Sequence, residues 1–155
     1  MDKLNLPPAP LHIDSTDAGA PRVLDPLRRR YVALTPEEWV RQHFVYFLIA
    51  FKGYPAGLMG NEVPIKLNDT SRRCDTVVHD RQGRPWMIVE YKAASVPLSQ
   101  AVFEQILRYN IVLKAPYLTV SNGLTTYCCA IDHATGRYRL LEDLPDYPAS
   151  DVNGK

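Results

Sequence analysis

The feature that most constrains this chain is a pair of helix-like stretches, each standing alone among short β-prone runs. The first, TPEEWVRQHFVYFLIAFKGYP (residues 35–55), has a threonine at the N-cap position, a proline at the first helical position, acids in the first turn and a stop at Lys52-Gly53. Trp39, Val40, Phe44, Phe47, Leu48 and Phe51 recur at helical spacing and are expected to bury one face, while Glu37, Glu38, Arg41 and Gln42 occupy the first turns. The second, PLSQAVFEQILRYNIVLKAP (residues 97–116), has Ser99 as its cap and Pro116 as its end, with Val102, Ile106, Tyr109 and Leu113 on a common side.

Between and after them lie strand candidates. EVPIKLN (62–68) alternates, CDTVVHD (74–80) carries threonine and valines, and WMIVEYK (86–92) is apolar, β-branched and aromatic. PYLTVS (116–121), LTTYCCAID (124–132) and RYRLLE (137–142) follow the second helix, joined by turn signals at Asn122-Gly123 and Ala134-Thr135-Gly136. The order α-β-β-β-α-β-β, with a further strand at the end, calls for an α/β fold: a mixed sheet with helices on its faces. Residues 1–30, rich in proline and small polar residues, read as an extended arm without regular structure, 31–145 as a single domain, and 146–155 as a tail.

Composition narrows the function classes. With 155 residues and 46% hydrophobic content, the chain can bury one good core. Its longest apolar run, FVYFLIAF (44–51), is far short of the roughly 18 residues that cross a bilayer. The start, MDKLNLPPAP, lacks the apolar centre of a secretion signal, so a cytoplasmic location is expected. Cys74, Cys128 and Cys129 are odd in number and lack metal-ligand spacing, which points to buried free thiols. His12, His43, His79 and His133 are scattered. A net charge of +1 argues against a strong non-specific nucleic-acid binder acting alone; the basic clusters RVLDPLRRRY (22–31) and SRRCD (71–75) read as solvated surface.

The chemistry gathers on a hairpin. DRQGRP (80–85) is a turn between the second and third strand candidates. If Asp80 and Pro85 pair across it, Asp75 stands opposite Glu90, and alternation puts Ile88, Glu90 and Lys92 on one face. A slip of one residue would move the aspartate to the other face. Two opposed carboxylates repel unless something positive lies between them, and Mg²⁺, with Mn²⁺ as the alternative, is held by one or two carboxylates together with substrate phosphate oxygens. Lys92 would position a water or neutralise the phosphate. The plain alternative is a salt bridge from Lys92 to Asp75 or Glu90, with Arg72 or Arg73 neutralising Asp75. A bare E-x-K carries little weight, since at about 6% usage of each residue a chain of this length has roughly an even chance of holding one.

Five ordered motifs carry more. LTPEEWVRQ, RRCDTVV, IVEYKA, EQILRYN and YLTVSNGL, spread over residues 31–131, resemble the PD-(D/E)xK nuclease superfamily and, more narrowly, the N-terminal nuclease domain of the type I restriction enzyme motor subunit. The resemblance implies a restriction-endonuclease-like core. It implies Asp75 and Glu90 as metal-binding acids and Lys92 as the catalytic lysine. Glu38 or its neighbour Glu37 would be the accessory acid of the first helix, and Gln105 with Tyr109 the Q-x-x-x-Y motif, one helix face bracing the site or touching the nucleic-acid backbone. Cys74 stands where the usual signature has proline. No G-x-x-x-x-G-K-[ST] loop occurs, so no translocating motor is expected within these residues.

The expectation is a Mg²⁺-dependent deoxyribonuclease with DNA as partner, alongside other restriction or defence subunits or a second copy of itself, and no membrane. The competing expectation is a catalytically silent nucleic-acid-binding or protein-interaction module on the same fold.

Overall fold

The computed structural model describes residues 1–16 and 19–150; positions 17 and 18 of the expected arm and 151–155 of the expected tail lie outside the described residues. The core is a six-stranded mixed sheet in the order β4-β5-β6-β7-β8-β9, with β4 at Met59–Leu67, β5 at Thr70–His79, β6 at Pro85–Tyr91, β7 at Tyr117–Ser121, β8 at Thr126–Asp132 and β9 at Arg137–Leu141. Neighbours are antiparallel except β6 and β7, which run parallel. A parallel pair needs a crossover, and α2 (Gln100–Asn110) supplies it. The α/β expectation and the helices on the sheet faces hold.

Side-chain parity divides the core. Met87, Val89 and Tyr91 of β6 pack with Val40, Phe44, Val45 and Leu48 of α1 (Pro36–Ala50) on one face. Ile88 of the same strand packs with Val77, Leu118 and Val120 against Phe103 and Leu107 of α2 on the other. Adjacent Cys128 and Cys129 part to opposite faces in the same way, and all three cysteines are buried and free. Burial pushes the Cys74 thiol up to about 12, which keeps it an inert packing group.

Both helices start as the sequence indicates. Thr35 accepts a hydrogen bond from the Glu38 N–H at 3.1 Å, and Ser99 from the Val102 N–H at 3.2 Å. Their ends and faces differ from expectation. Phe51 lies past the end of α1 and is 59% exposed. Helix α2 stops at Asn110 and tightens into a 3₁₀ turn, Ile111–Leu113, before Lys114 takes a left-handed φ of 59°. Its buried side is Phe103, Leu107 and Asn110, one residue round from the expected stripe, so Tyr109 stands 54% exposed.

The first thirty-odd residues hold more regular structure than expected. Strands β1 (Ile13–Asp14), β2 (Arg22–Asp25) and β3 (Arg30–Ala33) form an antiparallel three-stranded sheet. Strands of two to four residues are too short to show alternation, which is why a proline-rich text hides them. Ahead of them, Leu4 is buried in the core and packs on Gly123, whose φ of 83° at the β7-β8 turn suits glycine. The Asn5 N–H donates to Gly123 O at 2.8 Å. At the other end Tyr147 packs on Trp86 and donates to His79 O at 2.8 Å.

Candidate active site

The β5-β6 hairpin sets the geometry. Thr76 pairs with Val89, Val77 with Ile88 and Val78 with Met87, the register that carries Asp75 opposite Glu90. The expected pairing at the turn is off by one, because His79 pairs with Pro85 and the Asp80 N–H donates to Arg84 O at 2.8 Å. A bulge next to Val78 and His79 leaves Trp86 as the surplus residue and restores the register further down. The Asp75 carboxylate then reaches across to accept a hydrogen bond from the Tyr91 N–H at 2.9 Å.

Asp75, Glu90, Lys92, Gln105 and Tyr109, five of the six residues singled out from the sequence, line one cavity of about 310 Å³ between the sheet and α2. Gln105 and Tyr109 are exposed on the helix side, and Glu90 and Lys92 are half-buried on the sheet side. Burial first and the charge of Asp75 second push the Glu90 carboxyl well above the ordinary carboxylate range. Neither neutralising contact of the plain alternative forms: among the described residues, Lys92 makes no ion pair, and neither Arg72 nor Arg73 pairs with Asp75. Arg72 instead lies over the Tyr109 ring, 4.0 Å from its centroid.

Glu38 is placed elsewhere. It is buried, and its two oxygens accept from Arg28 Nη2 at 2.7 Å, Arg41 Nη2 at 2.7 Å, Arg41 Nε at 3.1 Å and Gln42 Nε2 at 2.9 Å. Burial would raise its pKa, but the hydrogen bonds from Arg41, Arg28 and Gln42 outweigh that and hold it below the ordinary value. With all its lone pairs engaged, Glu38 reaches the site through Arg41, whose Nη1 donates to Asp75 O at 2.8 Å. Glu37 is exposed, so of the two acids it is Glu38 that faces inward.

Sequence reasoning passed over Arg41, and saw in Arg73 only a surface charge or a partner for Asp75. Arg41 reads as a solvated first-turn residue, yet it is buried and also binds Glu62 Oε2 at 3.1 Å. Its i,i+3 spacing from Glu38 was the available signal. Glu62, at a left-handed φ of 55°, sits where regular β4-β5 pairing lapses between Asn61–Thr76 and Val63–Cys74. A non-glycine residue held there costs about 1 kcal/mol or more, and Arg41 clamps both sides of the lapse. Arg73, placed in a surface cluster by its sequence, lines the cavity.

The donor set fits one hard cation. Among the described residues no group of three or more His, Cys, Asp or Glu is arranged to hold a metal. Mg²⁺ needs only one or two carboxylates, and Asp75 and Glu90 are two that repel each other in its absence.

A family described as the type I restriction enzyme R protein N terminus matches residues 36–145. The chain belongs to that family. The match runs from the first turn of α1 to just beyond β9 and takes in all six candidate residues, so the restriction-enzyme domain is the six-stranded sheet with its two helices. The three-stranded sheet of residues 13–33 lies ahead of it. No curated protein matches the chain. Among the described residues no helix of this restriction-enzyme domain or its flanks is long and apolar enough to cross a membrane.

Proposed function

We propose that this member of the restriction-enzyme R family is a Mg²⁺-dependent nuclease that hydrolyses phosphodiester bonds in DNA. The observation that carries the reading is the convergence of Asp75, Glu90 and Lys92 with Gln105 and Tyr109 around one open cavity. Asp75 and Glu90 would hold the cation. When bound, Mg²⁺ would supply a water of lowered pKa and a positive charge against the negative charge building on the phosphate. Glu90 would give up its proton to become a ligand, the cation's charge offsetting the burial and the repulsion from Asp75 that raise its pKa. Lys92 Nζ, with no carboxylate partner among the described residues, is available to a phosphate oxygen or to the attacking water. Arg73 adds a second cation to the lining, and Gln105 and Tyr109 offer polar contacts to the sugar-phosphate backbone.

A domain of net charge +1 gains DNA affinity by pairing with a second copy or with another restriction or defence subunit. A cytoplasmic location follows from the same reading.

The test is incubation of the purified protein with plasmid and linear DNA in Mg²⁺, in Mn²⁺ and in EDTA. Cutting that needs the cation and disappears in Lys92→Ala supports the nuclease. Cation-dependent cutting that persists in Lys92→Ala overturns the mechanism. DNA binding without cutting in either cation supports the silent module in its place.

A further inference from the structure

The family match begins at residue 36, yet the site is wired to residues well before it. Asp25, fully buried at the end of β2, accepts from Arg28 Nε and from Asn61 Nδ2 at 3.0 Å. Two chains of hydrogen bonds leave this pair. One runs from Arg28 Nη2 to Glu38 Oε1 at 2.7 Å, from Glu38 to Arg41, and from Arg41 Nη1 to Asp75 O at 2.8 Å. The other runs from Asp25 through Asn61 to Thr76, whose Oγ1 donates to Asn61 Oδ1 at 2.6 Å and accepts from the Tyr91 hydroxyl at 2.9 Å. The Tyr91 N–H donates to Asp75 Oδ2 at 2.9 Å and closes the ring. Both the carbonyl and the carboxylate of Asp75 are therefore held from below by a loop of side chains that starts in the N-terminal hairpin.

We propose that Asp25 and Arg28, outside the family domain, are positioning residues for the cation site, fixing Asp75 through Glu38–Arg41 on one side and Asn61–Thr76–Tyr91 on the other. This rests on the assignment of Asp75 as a metal ligand. Signs alternate along the first chain, so each buried charge has its counter-charge beside it, and among the described residues the Arg28 guanidinium is the one group that touches both Asp25 and Glu38. A lysine at 28 keeps the charge and loses the fork that spans the two acids. Groups that orient a ligand from behind typically change metal affinity or activity by about 10–100-fold when altered.

The experiment compares the full chain with Arg28→Ala, Arg28→Lys and Arg30→Ala by calorimetric titration of Mn²⁺ into metal-free protein and by hydrogen exchange at the Tyr91 amide. Arg30 is exposed on the same hairpin and makes no ion pair among the described residues, so its variant controls for loss of surface charge. Both Arg28 variants are expected to weaken Mn²⁺ binding by about 10–100-fold and to speed exchange at Tyr91, with Arg30→Ala like the parent. If Arg28→Ala does not fold, Arg28→Lys carries the comparison. A folded Arg28→Lys with parental Mn²⁺ affinity and parental Tyr91 exchange overturns the proposal; so does failure of both Arg28 variants to fold, since the hairpin would then hold the fold and not the site. A parent chain that binds no Mn²⁺ overturns the metal assignment and this proposal with it, whereas binding in the parent that the Arg28 variants retain overturns this proposal alone.

Discussion

Asp75 and Tyr91 are joined diagonally across the β5-β6 ribbon, the carboxylate of the first taking the backbone N–H of the second at 2.9 Å. That bond ties up one oxygen of Asp75 and sets its carboxyl beside Glu90, the immediate neighbour of Tyr91 in β6. The acids are thus placed by main chain, and their closeness does not depend on flexible side chains finding each other.

Replacing Lys92 by alanine is expected to reduce DNA cleavage by about 10²–10³-fold, the usual loss of a single charge-stabilising donor. Lys92 makes no ion pair among the described residues, so the thermal midpoint should move little. Plasmid nicking beside circular-dichroism melting measures both. A large fall in melting temperature would mean that the lysine serves the fold.

Glu90 makes the metal-free protein sensitive to alkali. Its folded pKa lies above its ordinary value of 4.5, so folding takes up a proton there. The associated stability is full below 4.5 and is lost as pH rises towards the raised folded value. Melting in EDTA between about pH 5 and about pH 8 should show this decline, and Glu90→Gln should flatten it while abolishing Mn²⁺ binding. An equal slope in parent and variant would place the proton elsewhere.

Glu38 acts with the opposite sign. Its pKa is depressed in the folded state, so its contribution is present above 4.5 and is lost as pH falls through the lowered folded value. Glu38→Ala leaves Arg28 and Arg41 facing each other without their shared counter-charge and should cost about 3–5 kcal/mol in urea unfolding at neutral pH. A cost under about 1 kcal/mol, in the range of an exposed pair, would contradict the buried network.

Arg73 at the cavity edge should touch phosphate without reading bases. Arg73→Ala is expected to weaken DNA binding alike for unrelated sequences and to make the dependence of log affinity on log salt shallower by about 0.9. Fluorescence anisotropy over a salt series measures the slope. An unchanged slope would remove Arg73 from the DNA path.

The site was readable where local rules suffice. Alternation along 86–92 and a glycine turn at 80–85 placed Asp75 opposite Glu90 even though the pairing at the turn itself was wrong, because the Trp86 bulge cancels the error before the acids are reached. The i,i+4 spacing of Gln105 and Tyr109 likewise brought both to the cavity. Arg41 was hidden for the opposite reason. A charged residue in the first turns of an amphipathic helix reads as solvated, and its burial is tolerable because Glu38 on the same helix is joined by two partners distant in sequence, Asp75 and Glu62. The β1-β2-β3 sheet escaped notice because strands of two to four residues are too short to show alternation.

Trp86 is one residue too many for the strand it faces, and nothing reacts near it. Yet that odd count decides which way the whole lower ribbon looks. Were Trp86 drawn into the ladder opposite Val78, every later residue of β6 would change faces, turning Glu90 towards α1 and Tyr91 out over the groove. The aim of the two acids therefore rests on a spare residue near the tip of the hairpin and on the packing that keeps it spare, since the Trp86 ring is buried against Tyr54, Tyr117 and Tyr147.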